Sequence, residues 1–179
     1  YFIGTYKMTT SSRNTLVLTS VHFKGGVGKT TTVVNSAALL GKKGYKVLVV
    51  DLDNQRNCTK HISSTKNIDD IELTLRDLLE NYKTINPLDV IIGPEGTNFE
   101  NVSLIPCAKN IRDVEINIQR SSPVPNEILR SVLRKIKGLY DFVLFDCPPR
   151  METLTFNALL ASHNLIMPLD GEYSIQGLE

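Results

Sequence analysis

Two lysines stand close to three glycines and a run of threonines in the segment Lys24-Gly25-Gly26-Val27-Gly28-Lys29-Thr30-Thr31-Thr32. The segment follows an apolar run over residues 16–21 and leads into a stretch with helical periodicity. Glycines let a backbone curl so that several N–H groups point into one cavity, and a helix N-terminus adds positive potential. The segment therefore predicts a phosphate-binding loop, in which Lys29 reaches the β- and γ-phosphates and the Thr30 hydroxyl ligates Mg²⁺.

The loop departs from the usual phosphate-loop pattern, G-x-x-x-x-G-K-[ST]. Its first glycine would be residue 23, which is Phe23, and Lys24 stands beside that position. The chain thus has a second lysine where the ordinary pattern has none, and this departure needs an explanation.

Acidic side chains follow two other apolar runs of the sequence. Asp51 and Asp53 come after residues 47–50, and Asp146 comes after residues 142–145. Ligands of open parallel sheets bind at the carboxyl ends of the strands, where these side chains would lie. A carboxylate directly after a strand is a usual partner for phosphate-bound Mg²⁺, so Asp146 and the loop together indicate a nucleotide site. Asp53 also fits a plainer interpretation, in which it only caps its loop.

The predicted framework is an α/β fold, with a mostly parallel, twisted sheet flanked by helices, because apolar runs alternate with amphipathic stretches. Residues 86–92 could hold a turn or a strand, and residues 93–96 read as a loop. The helix over residues 125–137 has a basic side with Arg130, Arg134, Lys135 and Lys137, for which a solvated face is favoured over a nucleic-acid stripe. Strands are predicted at 15–21, 47–50, 102–106, 142–145 and 165–167, and helices at 30–43, 73–81, 110–120 and 125–137.

The composition fits a globular domain and limits the other possibilities. The chain has 179 residues, 41% hydrophobic and 22% charged, which is enough for a substantial core. With 20 basic and 19 acidic residues, it has no overall basic field that would argue for nucleic acid. Cys58, Cys107 and Cys147 form no C-x-x-C pair, which argues against a zinc site or a disulfide framework and fits a reducing cytosol.

Taken together, the motifs resemble those of the deviant Walker A ATPases of the ParA/MinD group, and most closely the ParA-type partition ATPases. The resemblance covers about residues 15–179 and implies a P-loop NTPase fold of the deviant Walker A type. Shorter similarities lie at Asn157-Ala158-Leu159 and Glu172-Tyr173. The main matches are the loop segment 24–32, Val50-Asp51-Leu52-Asp53-Asn54-Gln55-Arg56-Asn57-Cys58-Thr59, and Asp146-Cys147-Pro148-Pro149.

The resemblance implies a role for the second lysine, because in this group two subunits sandwich two ATP molecules. Lys24 would cross the interface and touch the phosphates bound by the partner, while Asp53 would position the attacking water. Asp51 and Asp146 would support Mg²⁺ directly or through water. The implied catalytic residues are Lys24, Lys29 and Asp53, the nucleotide-binding residues are Lys24, Gly25, Gly26, Val27, Gly28, Lys29, Thr30 and Thr31, and the metal-binding residues are Thr30, Asp51 and Asp146.

The function implied by the resemblance is a slow, ATP-dependent dimerisation switch for plasmid or chromosome partition. Its implied cofactors are ATP and Mg²⁺, and its implied partners are nonspecific DNA and a centromere-binding ParB-type protein, in a cytoplasmic, nucleoid-associated setting. An alternative is a nucleotide-dependent scaffold that positions other cargo, or a division inhibitor, at the membrane. A metabolic enzyme on the same fold, such as an ATP-dependent ligase, is a third possibility.

Several positions depart from the group's pattern. Asn54 replaces a usual proline and Arg56 a common glycine, which puts the stiffness of the loop around Asp53 in question. Residues 1–14 are expected to be a flexible or artificial lead-in. Residues 15–179 are expected to form one ATPase domain that lacks its C-terminal part, because the group continues with further helices.

Overall fold

The strands form a parallel sheet in a computed structural model that describes residues 15–171. Within this range the sheet has five strands, in the order β3-β2-β4-β1-β5, and every neighbouring pair is parallel. The order follows from connections that cross over the sheet rather than turn back as hairpins. The strands are β1 (Leu16–Ser20), β2 (Val47–Asp51), β3 (Val102–Ile105), β4 (Phe142–Asp146) and β5 (Asn164–Ile166).

Helices cover both faces of this sheet. They are α1 (Lys29–Lys42), α2 (Asn57–Ile62), α3 (Leu75–Glu80), α4 (Ile111–Ser121), α5 (Ile128–Lys135) and α6 (Thr153–Ala161). Short 3-10 turns lie at Ile68–Asp70, Pro87–Asp89 and Pro94–Gly96. One face packs against α1 and α2, and the other packs against α3 to α6.

The central strands are buried on both sides, which explains their continuous apolar sequences. In β2, Val47 and Val49 contribute to the core under α1, whereas Leu48 and Val50 contribute to the core on the opposite face. Side chains alternate between the faces of a strand, so a strand covered on both faces has no polar side. The two cores therefore hold the carboxyl ends of the strands in fixed positions.

Gly41 marks the closest approach of α1 to the segment before β3. A Cβ atom at Gly41 would overlap with the carbonyl oxygen of Glu100. The Gly41 carbonyl accepts a hydrogen bond from the Asn101 side-chain amide at 3.1 Å. The absence of a side chain thus lets the helix pack directly on the backbone of this segment.

The structure confirms the predicted α/β class and its parallel sheet, but it corrects several boundaries. Helix α5 begins at Ile128 rather than residue 125, because residues 124–127 form a turn in which Glu127 N donates to Val124 O at 3.1 Å. The predicted loop at residues 93–96 contains a 3-10 turn. Helices α2 and α6 were not predicted. The expectations for residues 1–14 and for Glu172-Tyr173 lie outside the described residues.

Candidate active site

Three polar residues lie side by side at the carboxyl edge of the sheet. In register, Ser20 at the end of β1 pairs with Asp146 of β4, and Asp146 pairs with Asp51 of β2. All three side chains are buried. The two aspartates predicted from separate apolar runs are therefore neighbours, next to the loop that follows β1.

The loop itself has the backbone shape that its glycines predict. Gly26 and Gly28 have φ angles of +81° and +88°, in the left-handed region that disfavours other residues. No atom lies within 4 Å of the Cβ position that either glycine would have, so the loop opens onto free space. Gly28 is the N-cap of α1 and no side chain caps it, which leaves the helix N-terminus available to an anion.

The Lys29 side chain folds back on this loop. Its Nζ donates to the Lys24 carbonyl oxygen at 3.2 Å, and the residue is only 7% exposed. Burial lowers the pKa of Lys29, although the charges of Asp146 and Asp53 oppose this effect. A buried ammonium group beside a glycine loop is suited to bind phosphate oxygens.

Thr30 and Asp146 are in direct contact. The Thr30 hydroxyl donates to Asp146 Oδ2 at 2.7 Å. Burial, followed by the nearby charge of Asp51, raises the pKa of Asp146 to about 7. Among the described residues, Asp146 Oδ1 and Ser20 Oγ are buried side-chain atoms without a hydrogen-bond partner. An unpartnered carboxylate oxygen next to a threonine hydroxyl fits the oxygen ligands that Mg²⁺ prefers.

Asp51 is held by hydrogen bonds from the chain segment that follows it. Its Oδ2 accepts the backbone N–H of Thr59 at 2.8 Å and the Thr59 hydroxyl at 2.7 Å, and its Oδ1 accepts Asp53 N–H at 3.1 Å. Burial raises the pKa of Asp51 to about 6, although these hydrogen bonds oppose the rise. Asp51 therefore ties the start of α2 and the loop after β2 to the sheet.

The position of Asp53 is compatible with both roles predicted for it, the capping of its own loop and a role in the nucleotide site. Its Oδ1 accepts Gln55 N–H at 3.0 Å, which is the loop-capping arrangement. The residue also lines a cleft of about 500 Å³ in front of the glycine loop. The same carboxylate can therefore shape its loop and face a ligand.

Arg56 ends this loop in a left-handed conformation, with φ +54° and ψ +29°. This conformation explains why a glycine is common at the position. The Arg56 guanidinium lies 2.6 Å from Asp69 Oδ1, and this hydrogen bond lowers the pKa of Asp69. The ion pair stabilises a backbone shape that glycine would adopt without strain.

The cleft brings together the glycine loop, the loop after β2 and the segment after β4. Five residues that were not predicted as site residues line it, namely Asn54, Gln55, Asn57, Pro149 and Arg150. Their positions in the quoted motifs, or one residue beyond them, were the available signal. The full lining is Gly25, Gly26, Gly28, Lys29, Thr30, Thr31, Asp53, Asn54, Gln55, Asn57, Pro149 and Arg150.

Lys24 is not one of the residues that line this cleft. Its side chain is 48% exposed and its Nζ lies 3.4 Å from Asp170 Oδ1. Its backbone N–H donates to His22 Nδ1 at 3.0 Å. The structure therefore places Lys24 at the surface, beside the loop but outside the set of residues that line the cleft.

The site lacks an all-protein metal cage in the range that the structure describes. Between residues 15 and 171, no group of three His, Cys, Asp or Glu side chains is arranged to hold a metal ion. Magnesium in nucleotide sites is commonly held by one or two protein oxygens together with the phosphates, and Thr30 and Asp146 can supply those oxygens.

The cysteines take no part in this arrangement. Cys58, Cys107 and Cys147 are buried free thiols, and burial is the main cause that raises the pKa of each. A protonated, buried thiol is a poor nucleophile. In the described part of the chain, no helix has the length and apolar character needed to cross a membrane.

Comparison with known proteins identifies the family. A profile of the AAA domain family matches residues 15–179. The chain is 38% identical over 157 residues to the sporulation initiation inhibitor protein Soj of Bacillus subtilis, covering 87% of this chain and 58% of that protein. It is 34% identical over 163 residues to the chromosome-partitioning ATPase Soj of Treponema pallidum, covering 90% and 60%.

A solved structure shows the same fold. Cobyrinic acid a,c-diamide synthase from Mycobacterium smegmatis, with a bound ATP analogue and magnesium, superimposes with a TM-score of 0.77 at 32% identity. The match covers 87% of this chain and 60% of that one, so this chain spans less than two thirds of the length of each of these three proteins. The chain belongs to the AAA domain family, and its similarity to the two Soj proteins confirms the predicted resemblance to the ParA-type partition ATPases.

Proposed function

We propose that this chain binds ATP with Mg²⁺, hydrolyses it slowly, and uses the nucleotide to control dimerisation in plasmid or chromosome partition. The observation that carries the proposal is the contact between Thr30 and Asp146 at 2.7 Å beside the left-handed glycine loop. It joins a phosphate cradle to an oxygen pair suited to magnesium. The similarity to the chromosome-partitioning ATPase Soj of Treponema pallidum supports the partition role.

The phosphate is bound by the loop in this proposal. Backbone N–H groups of residues 25–30 donate to phosphate oxygens at the start of α1. Lys29 gives up its hydrogen bond of 3.2 Å to the Lys24 carbonyl oxygen and donates to the β- and γ-phosphates instead. This exchange moves one side chain and leaves the fold unchanged. Because Lys29 is buried, its charge acts in surroundings of low polarity, where electrostatic attraction is stronger.

The hydrolysis step depends on how water and charge are positioned. Thr30 and Asp146 would hold magnesium, which would neutralise part of the negative charge on the phosphates. Asp53 lines the cleft and orients the attacking water. Asp51 acts one step removed, since its oxygens already accept hydrogen bonds from Asp53 and Thr59. Hydrolysis that relies on positioning alone, without a strong base, is expected to be slow.

Dimerisation gives the exposed lysine its role. Lys24 lies outside its own cleft and its Nζ is 3.4 Å from Asp170, so it can turn toward phosphates bound by a second subunit. Exposed ion pairs of this kind contribute little free energy, so the exchange costs little. DNA and a ParB-type protein are the partners proposed from the family resemblance.

Substitution of Lys29 tests the proposed site. Isothermal calorimetry should show ATP binding by the wild type in the presence of Mg²⁺ and none by Lys29→Ala. Lys42→Ala is the matched control, because Lys42 is exposed in the last turn of the same helix. Unchanged ATP affinity in Lys29→Ala, or no binding by the wild type, would contradict the proposal.

A further inference from the structure

Arg150 lies on the wall of the cleft, although no motif of the sequence pointed to it. It lines the same cavity as the glycine loop and Asp53. Of the described residues that line this cavity, Lys29 and Arg150 are the ones with a positive charge. A bound triphosphate carries several negative charges, so Arg150 is placed where its positive charge can attract the nucleotide.

The backbone of Arg150 is fixed by the start of α6. Its carbonyl oxygen accepts the Thr155 hydroxyl at 2.7 Å. The first turn of α6 is also bonded to α4, because the buried Glu115 of α4 accepts a hydrogen bond from the backbone N–H of Leu154 at 2.7 Å. The segment after β4 thus presents Arg150 from a supported position rather than from a loose loop.

The guanidinium of Arg150, in contrast, is held only weakly. Its Nε lies 3.8 Å from Glu152 Oε2, and the side chain is 36% exposed. Glu152 is shared with Arg112, whose Nη2 lies 3.6 Å from Oε1. A partly exposed ion pair at this distance contributes little, so the Arg150 guanidinium can leave Glu152 for a better anion.

The position along the cleft suggests which phosphate Arg150 would meet. Arg150 follows Asp146 by four residues on the segment after β4, and Asp146 contacts Thr30 at the predicted magnesium position. A magnesium ion held by Thr30 and Asp146 would neutralise charge on the phosphate group that is transferred. Asp53, the proposed water-positioning residue, lines the same cavity from the adjacent strand. The segment after β4 and the loop after β2 therefore both border the terminal-phosphate end.

We propose that Arg150 binds the terminal phosphate of the nucleotide in its own cleft and so favours ATP over ADP. The inference rests on the proposed function, because it assumes that the cleft holds a nucleotide. A planar guanidinium can donate two parallel N–H bonds to phosphate oxygens, which a lysine ammonium cannot reproduce. Glu152 then serves as the resting partner of Arg150 when no triphosphate is bound.

The test compares the affinities for ADP and for a non-hydrolysable ATP analogue by calorimetry with Mg²⁺. Arg150→Ala of the full chain is expected to bind the analogue about tenfold more weakly, the effect of one charge-assisted contact, with ADP affinity within about twofold of wild type. The affinity of Arg150→Lys for the ATP analogue should lie between those of the wild type and Arg150→Ala. Arg134→Ala is the control, because Arg134 is exposed on α5 and lines no part of the cleft.

Three results would overturn the assignment. Unchanged affinity of Arg150→Ala for the ATP analogue would remove Arg150 from the site. An equal loss for ADP and the analogue would show that Arg150 does not distinguish the terminal phosphate. If the wild-type protein bound neither nucleotide, the proposed function would fail, and the role of Arg150 would fail with it. That outcome differs from one in which the wild type binds both nucleotides and Arg150→Ala binds them equally well, which would exclude only the role of Arg150.

Discussion

Replacing Asp146 with asparagine is expected to stabilise the ligand-free protein at pH 8 and to remove a magnesium ligand. The Asp146 carboxylate is almost fully buried, with one oxygen lacking a partner and Asp51 opposite it in the sheet. Asparagine keeps an oxygen that can accept the Thr30 hydroxyl but carries no charge. In the ligand-free protein, the negative charge of Asp146 is therefore not fully compensated by neighbouring groups.

The magnitude follows from the pKa of Asp146, which burial raises from 3.8 to about 7. Between these two values the folded state binds more protons than the unfolded state, so the free energy of unfolding falls as the pH rises. Each pKa unit corresponds to about 1.4 kcal/mol, so the loss reaches about 4 kcal/mol at pH 8 but only about 2 kcal/mol at pH 5.

The change in the stability gain between pH 5 and pH 8 is a better test than the gain at one pH. The Asp146→Asn variant carries an unpartnered amide that costs about 1–3 kcal/mol, but this cost does not change with pH because the amide does not titrate. The stability gain of Asp146→Asn should therefore be about 2 to 3 kcal/mol larger at pH 8 than at pH 5. The repulsion from Asp51 is already included in this pKa difference and adds no separate amount.

Urea denaturation followed by circular dichroism measures this gain, with EDTA and without nucleotide, at pH 5 and pH 8. Asp141→Asn is the control at the other end of the same strand, where the carboxylate accepts Lys46 N–H at 2.8 Å. The control is not expected to gain stability at pH 8. A gain for Asp146→Asn that is equal at both pH values, or a loss of stability at pH 8, would refute the reasoning.

Three other substitutions test separate parts of the structure. Lys24→Ala should keep ATP binding but lose the ATP-dependent dimer in light scattering, and a persisting dimer would exclude the interface role. Asp53→Asn keeps an acceptor for Gln55 N–H and should bind ATP without releasing phosphate, so normal phosphate release would remove Asp53 from the mechanism. Gly41→Ala should lower the free energy of unfolding by about 2 kcal/mol in urea, because the new methyl group meets the Glu100 carbonyl; unchanged stability would contradict this close packing.

The sheet could be predicted from sequence because its strands are short continuous apolar runs. Val47 to Val50 has no polar side, and the structure buries it between two layers of helices. Helix α1 could be predicted as well, since the glycine loop marks its start and Gly44 follows its end. These features depend on neighbouring residues alone.

Helices α2 and α6 escaped prediction for physical reasons. Helix α2 has only six residues, too short to show a repeating pattern of apolar positions, and it begins after the left-handed Arg56. Helix α6 buries apolar and polar side chains alike, including Thr155 and Asn157. The Asn157 amide is buried because it bonds Leu129 N–H and the Pro125 carbonyl, and such partners are invisible in a local pattern.

The candidate site shows the same division. The loop and the nearness of Asp146 could be inferred from spacing and strand ends, and the structure places Thr30 against Asp146. The anchoring of Asp51 by Thr59 and the location of Arg150 in the cleft depend on how distant segments pack. No short motif encodes those contacts, because they arise only once the sheet is assembled.

The ion pair between Arg56 and Asp69 has a consequence for the effect of salt. Asp69 is about half exposed and is shared with Lys109 at 3.9 Å, so dissolved ions can screen it. Arg56 closes the loop that begins at Asp53, where Arg56 N–H donates to the Asp53 carbonyl at 2.8 Å. High ionic strength therefore weakens the contact that supports the left-handed turn. The support that this ion pair gives to the Asp53 loop therefore depends on the salt concentration of the surrounding solution as well as on the sequence.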